Sequence, residues 1–163
     1  MKIIVPALTY KNLYKAQLLF YKHTRIKWLH RLMGVGFGFV MFVLSLKGHL
    51  PWYFVVFTFA YGLAFCFYEI TLLPLITLYR FKKLKLAHVQ SEVELTDNGI
   101  SAHSARGNGD SPWTTFYGYL HDDKMLLLFI NYQMFIIFVR SDYPDQVWQE
   151  LLNIVKAHLE LKR

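Results

Sequence analysis

Two long apolar segments dominate the hydropathy pattern of the first half of the chain. Residues 32–46 carry no charge over 15 positions, and residues 50–68 carry none over 19. At about 1.5 Å per helical residue, the second segment is roughly 28 Å long, close to the ~30 Å hydrocarbon core of a bilayer. The first becomes long enough when Trp28 and Leu29 extend it. The pattern predicts a transmembrane helical hairpin with a short link at residues 47–51.

Short strands and turns dominate the pattern after residue 88. Alternation and apolar runs predict strands at residues 89–95, 100–105, 113–120, 125–130 and 134–139. Residues 97–99 (DNG) and 107–110 (GNGD) are typical of turns. After residues 141–144 (SDYP), one apolar stripe predicts a closing amphipathic helix. The fold class is therefore α+β, with a transmembrane helical hairpin and a small antiparallel sheet closed by a C-terminal helix.

The last two predicted strands are apolar on both faces. Residues 125–130 read MLLLFI and residues 134–139 read MFIIFV, whereas a half-exposed sheet would alternate. We expect one face to meet the closing helix. The other face meets either a second sheet layer, or the helical hairpin, the bilayer or a partner protein.

The N-terminal arm combines a short strand-like segment at residues 2–8 with a basic helix. Thr9 is placed to cap this helix, and its cations share one face, namely Lys11, Lys15, Lys22 and Arg25. The helix either lies on anionic lipid or packs on the sheet domain. The sequence thus divides into an arm at residues 1–31, a hairpin at residues 32–78 and a domain at residues 79–163.

Composition and charge support a membrane setting. Of the 163 residues, 55% are hydrophobic and 18% are charged. The hydrophobic fraction is higher than that of an ordinary soluble domain, and it excludes a disordered chain. The net charge is +7, yet residues 1–85 carry 12 cations against one acid, while residues 86–163 carry 6 against 10. Because the basic half also holds the apolar segments, membrane attachment is favoured over nucleic-acid binding. The single cysteine, Cys66, excludes a disulfide framework.

Cations flank the hairpin at its two outer ends, whereas its link carries only Lys47. The positive-inside rule therefore predicts a multi-pass protein of the inner membrane with both termini in the cytoplasm. Basic and aromatic side chains beside the hairpin, with one tryptophan of the sheet domain, are candidate contacts for lipid or a partner: Trp28, Arg31, Arg80, Lys82, Lys83, Lys85 and Trp113.

Two further features lie within the hairpin. Glu69 is the only acid there, and it either has a functional role or forms an ion pair with Arg80 or a basic N-terminal residue. Small residues four positions apart predict close helix packing, at Gly34 and Gly38 on the first helix and at Ala60 and Ala64 on the second.

The search for catalytic chemistry finds no candidate motif. The seven histidines lack the spacing of a metal site, and the chain contains no nucleophile elbow, P-loop or paired-carboxylate arrangement. We therefore predict no catalytic residue, no metal and no cofactor, and we expect that the protein is not an enzyme.

The order of these parts resembles the YcxB-like family of bacterial membrane proteins. The resemblance extends over essentially the whole chain and is carried by the helical hairpin, residues 94–100 (ELTDNGI), residues 111–113 (SPW), the apolar strand pair and the terminal helix. It implies a small cytoplasmic domain similar to pleckstrin-homology (PH) domains. It implies neither an activity nor a cofactor.

The leading hypothesis is a non-catalytic integral membrane protein whose PH-like domain binds protein or lipid. Its partners are then the lipid bilayer and a protein partner or a second copy, with no nucleic acid. The alternative is a small membrane immunity or stress-protection protein, or an accessory subunit of a membrane complex. A membrane enzyme or transporter that uses Glu69 is the third class.

Overall fold

The computed structural model describes residues 1–48, 51–83, 89–105, 107–131 and 134–161. The chain divides into two compact units. One unit joins Met1–Ala16 to Phe81–Arg163, and the other is Gln17–Arg80. We call the first the sheet unit and the second the helical unit, and each is described separately.

The sheet unit contains two small antiparallel sheets. The first has the strand order β1-β2-β3-β4, with β1 at Lys2–Val5, β2 at Ser91–Leu95, β3 at Gly99–Ser104 and β4 at Gly107–Pro112. The second has the order β5-β6-β7, with strands at Gly118–His121, Met125–Phe129 and Phe135–Val139. Helix α5 at Asp145–His158 follows a short 3-10 turn at Arg140–Asp142. This confirms the mixed α+β class.

One hydrophobic core joins both sheets to α5. Its members come from the inner faces of β1–β3, from β6 and β7, and from the apolar stripe of α5, and the fully buried ones include Leu126, Leu128, Phe138, Leu151 and Val155. All five residues of β6 are buried, including those on its other face. The all-apolar sequence of this strand therefore reflects burial on both faces.

The strand predictions are wrong at two places between β3 and β5. Residues 107–110, predicted as a turn, form most of β4, and residues 113–115 of the predicted third strand form a 3-10 turn. The side chains of β4 are largely exposed at the sheet edge, so the backbone ladder to β3 holds this strand without apolar alternation. The predicted single sheet is consequently two sheets.

The N-terminal arm adopts the predicted strand and helix. Strand β1 pairs with β2, and the Asn12 amide donates to Thr9 Oγ1 at 3.2 Å, so Thr9 caps helix α1 at Tyr10–His23. The apolar face of α1 is buried at Leu13, Ala16 and Leu19, while its cations are exposed. Protein therefore covers the apolar face of α1, and its basic face is exposed.

The helical unit contains α2 at Ile26–Leu46, α3 at Trp52–Cys66 and the greater part of α4, which is Leu72–Lys83. Helix α3 ends at Cys66, eight residues before Pro74. The Thr71 hydroxyl donates to the Ala64 carbonyl at 2.7 Å, which satisfies a backbone acceptor at this helix end. Pro74 instead lies in the first turn of α4, where its missing N–H is tolerated.

By length and composition, one described helix is suited to crossing a membrane, namely α2 with 21 residues. Only 6% of its most apolar stretch is buried. Helix α3 is apolar but shorter, with 15 residues.

Gly99 begins β3 and lies against the backbone of β4. A Cβ at Gly99 would overlap the Ser111 carbonyl oxygen and lie 2.7 Å from the Cα atom of Pro112. We expect Gly99→Ala to lower the free energy of unfolding by about 2–4 kcal/mol, because backbone atoms have to move apart. Chemical denaturation monitored by tryptophan fluorescence measures this loss.

Gly109 supplies the matched control, since a Cβ there meets nothing within 4 Å. Gly109→Ala should change the unfolding free energy by less than about 0.5 kcal/mol. Equal effects of the two substitutions would contradict the close β3–β4 contact at Gly99.

Candidate functional site

The contact between α2 and α3 is closest at two glycines. A Cβ added at Gly34 would lie 2.7 Å from the Gly62 carbonyl oxygen and 2.9 Å from Cys66 Sγ, and one added at Gly62 would lie 2.9 Å from the Gly34 oxygen. Glycines allow this approach because they lack the atom that would collide. The Phe37 and Tyr61 rings meet at 5.6 Å in the same interface.

The predicted small-residue pairs are placed differently from the expectation. Gly34 faces Gly62, not Ala60 or Ala64. A Cβ at Gly38 meets nothing within 4 Å, although the Gly38 Cα atom lies 4.0 Å from an ideal Cβ at Gly62. Ala60 is exposed and Ala64 half-buried. A pattern of small residues four positions apart does not identify Gly62, because Gly62 contacts α2 at the one point where the two helices cross.

Glu69 forms an ion pair with Arg31. Arg31 Nη2 lies 3.4 Å from Glu69 Oε1, and both side chains are partly exposed. The Arg31 guanidinium also lies 5.7 Å from the Trp28 ring centroid, within cation–π range. The structure thus brings three of the predicted residues together beside the start of α2.

A histidine–tyrosine cluster that the sequence pattern does not predict adjoins this ion pair. His30 Nδ1 lies 3.2 Å from the Tyr21 hydroxyl, and the His30 ring centroid lies 4.3 Å from that of Tyr68. The Phe65 and His30 rings meet nearly at right angles, with centroids 6.0 Å apart. The sequence does place His30 directly before Arg31, near the start of α2. Residue spacing alone does not identify the tyrosines that contact His30.

A groove of about 360 Å³ lies between α2 and α3. Its walls are almost entirely apolar and aromatic, and they include Met33, Phe37, Phe57 and Tyr61. Thr58 also lies in this wall, and its hydroxyl donates a hydrogen bond to the Phe54 carbonyl of its own helix, 2.8 Å away. The groove therefore offers apolar contact and little hydrogen bonding.

The basic candidates on α4 occupy its last turn. Arg80, Lys82 and Lys83 follow one another within four positions, and all three are exposed. Lys85 lies outside the described residues. Exposed cations that follow one another in this way attract an anionic surface.

Trp113 lies in the core, and His158 covers one face of its ring. It is 7% exposed, its indole N–H donates to the Thr96 carbonyl at 2.9 Å, and its ring stacks on His158 at 4.7 Å. These contacts fix the 3-10 turn that joins the two sheets. They favour a structural role for Trp113 over stacking on a ligand.

The described residues contain no group of three or more histidine, cysteine or acidic side chains placed to hold a metal ion. The described histidines lie in different environments. His30 packs in the tyrosine cluster, His158 stacks on Trp113, and His23 contacts its own helix at the Leu19 carbonyl, 3.0 Å away.

These elements define a mixed α+β protein with an apolar helix pair and a two-sheet unit. Residues 95–155, which run from the end of β2 into α5, match the model of the YcxB-like protein family. This confirms the resemblance over the sheet unit, and it is shorter than the whole-chain resemblance predicted from the sequence. No curated protein and no solved structure matches the chain.

The Gly34–Gly62 contact predicts a specific cost for adding one methyl group. Gly34→Ala should lower the thermal midpoint of the detergent-solubilised protein by several degrees, since α2 and α3 have to separate by some tenths of an ångström or more. The fraction that stays monodisperse after stepwise heating gives this midpoint.

Gly36 is the matched control on the same helix, because a Cβ there meets nothing within 4 Å. Gly36→Ala should leave the midpoint unchanged or raise it slightly, because alanine has the higher helix propensity. If Gly34→Ala were as stable as Gly36→Ala, the helices would not meet at this point.

Proposed function

We propose that this protein is a non-catalytic integral membrane protein in which α2 and α3 form an antiparallel transmembrane hairpin. The sheet unit is then a PH-like binding module for lipid or protein at the cytoplasmic face of the inner membrane. The observation that supports this most strongly is the exposure of large apolar side chains on both helices.

Most of the exposed large hydrophobic side chains in the described chain lie on α2 and α3. On α2 they point in many directions around the helix, and Leu32, Val35 and Phe39 are each more than 60% exposed. On α3, Phe57 and Phe59 are likewise each more than 60% exposed. An apolar surface of this extent is costly in water and stable in hydrocarbon, whose chains are as apolar as leucine.

The polar groups of the helix pair are compatible with hydrocarbon. The Thr58 hydroxyl donates to carbonyls of its own helix, at Phe54 and Val55, and helical backbone groups pair within each segment. Gly34 of α2 contacts Gly62 of α3, and Arg31, closer to the start of α2, pairs with Glu69, which follows the end of α3; this order is that of antiparallel packing. Such packing carries the chain across the bilayer and back.

Length and end residues are consistent with this placement. Helix α2 is about 31 Å long at 1.5 Å per residue, which matches a hydrocarbon core of ~30 Å. Helix α3 is shorter, at about 22 Å, and short spans are accommodated by local thinning. Trp28 near the start of α2 and Trp52 at the start of α3 are both strongly exposed, as expected for interfacial belts.

The cations orient the hairpin with both termini in the cytoplasm. Lys27 and Arg31 lie at the start of α2, and Arg80, Lys82 and Lys83 lie at the end of α4, whereas Lys47 alone follows α2. The same side chains attract anionic lipid to this face. The sheet unit is thereby held where it meets lipid headgroups and membrane-bound partners.

The cations of α4 predict a preference for anionic lipid. We expect the triple variant Arg80→Gln, Lys82→Gln and Lys83→Gln to insert normally but to retain less phosphatidylglycerol. Each cation near a membrane surface contributes roughly 1 kcal/mol, so the ratio of retained phosphatidylglycerol to phosphatidylcholine should fall at least fivefold. The protein is reconstituted in equal parts of both lipids and purified in mild detergent, and its bound lipid is quantified.

A triple variant with the same charge change elsewhere is the control, at Lys11, Lys124 and Lys156. Its lipid ratio should stay within twofold of the unmodified chain. The lipid-binding role is wrong if both triple variants lower the ratio equally, since the loss would then follow net charge alone.

A further inference from the structure

The free edge of β1 offers backbone hydrogen-bonding groups to an additional strand. Met1 and Leu95 exchange both backbone bonds at 2.8 Å, so in the alternating antiparallel ladder Ile3 and Val5 also bond inward to β2. The N–H and C=O groups of Lys2 and Ile4 then point away from the sheet. No described strand pairs with this edge.

A groove of about 420 Å³ runs beside this edge within the sheet unit. Lys2, Ile4 and Glu92 line one side, and Tyr143 and Val147 line the other. Ile4 is 59% exposed, which is high for an isoleucine in a strand. The groove thus places an open strand edge next to the start of α5.

The far wall of the groove is rigid. The Tyr143 ring packs between Phe138 and Trp148, with centroids 6.5 Å and 6.4 Å away. Its hydroxyl is buried without a hydrogen-bond partner among the described residues, and burial raises the pKa of Tyr143 to about 12. Because core residues hold this ring, a bound segment would meet a preformed surface and pay little for ordering it.

Acids outnumber cations among the residues that line the groove, with Glu92 and Asp142 against Lys2. Glu92 and Asp142 lie on its two sides, both are exposed, and neither has a cation within 4.0 Å among the described residues. Lys2 is engaged with Glu94 at 3.5 Å. A second copy of the chain would bring two more acids and only one more cation, Lys2, to this edge, whereas a basic segment would neutralise the excess of negative charge.

From this geometry we propose that the β1 edge binds an extended segment of a partner protein in which basic and apolar residues alternate. The segment adds a fifth strand through the backbone groups of Lys2 and Ile4. Its basic side chains share the sheet face that carries Ile4 and Glu92, and its apolar side chains share the opposite face, that of Ile3. This mode of strand addition rests on the proposed function only in that the sheet unit is a binding module.

A labelled peptide tests the inference on the full chain in non-ionic detergent, without lipid. The probe is a fluorescein-tagged heptapeptide of alternating valine and lysine, and binding is followed by fluorescence anisotropy. A peptide of alternating valine and glutamate should bind at least tenfold more weakly. A valine–lysine peptide with N-methylated lysine amides should also lose at least tenfold, because it cannot complete the ladder.

Variants of the chain locate the site. Ile4→Pro removes an N–H that points away from the sheet, which edge strands tolerate, and should weaken binding about fivefold. Glu92→Gln combined with Asp142→Asn should weaken it by a similar factor. Asp110→Asn on the opposite edge strand β4 is the matched control and should bind as the unmodified chain does.

Three results would overturn the inference. The first is no binding at millimolar peptide, and the second is equal binding of the lysine, glutamate and N-methylated peptides. The third is a concentration-dependent dimer that Ile4→Pro converts to monomer, which would assign the edge to a second copy. The N-methylated peptide keeps the test decisive if Ile4→Pro proves unstable. Because lipid is absent, failure here is distinct from failure of membrane insertion or of lipid selectivity.

Discussion

The surface of α2 and α3 sets the constraint on which the rest of the structure depends. Large apolar side chains cover these helices on most sides, while the residues they bury against each other are few and small. Water cannot cover this surface without a large free-energy penalty. The proposed lipid environment would remove this penalty, and it would also account for the cations at the helix ends.

Small residues, and polar groups that have hydrogen-bond or ion-pair partners within the chain, hold the helix pair together. In the proposed bilayer, hydrocarbon would compete for apolar contacts, so association would depend on close packing and on satisfied polar groups. The Gly34–Gly62 approach supplies the first, and the Arg31–Glu69 pair and the Thr58 hydroxyl supply the second. The tyrosines around His30 add aromatic packing near the same end.

The sheet unit fills its own core and leaves recognition to its edges. Both sheets and α5 share one cluster of buried side chains, and Trp113 is held there by Thr96 and His158. The proposed binding roles therefore fall to exposed features, namely the cations of α4 and the open edge of β1. Charge attraction would act at the cations, and backbone hydrogen bonds would act at the edge.

The sequence predicted those elements whose residues are selected by burial. The pattern of apolar residues predicts helix α2, strands β2, β6 and β7, and helix α5, because this pattern reflects which side chains are shielded from water. Strand β4 was missed because a glycine-rich edge strand is held by backbone bonds that leave no apolar pattern. The Gly62 partner of Gly34 and the tyrosines of His30 were missed because they depend on where two helices cross.

The most direct test of the membrane hairpin is the side of the bilayer on which each part lies. Single cysteines at Lys47, Lys11 and Lys124, in a Cys66→Ala background, are exposed to a membrane-impermeant maleimide in intact spheroplasts. The account predicts that Lys47→Cys is labelled at once, and that Lys11→Cys and Lys124→Cys are labelled only after permeabilisation. Labelling of Lys47→Cys and Lys124→Cys from the same side would contradict it.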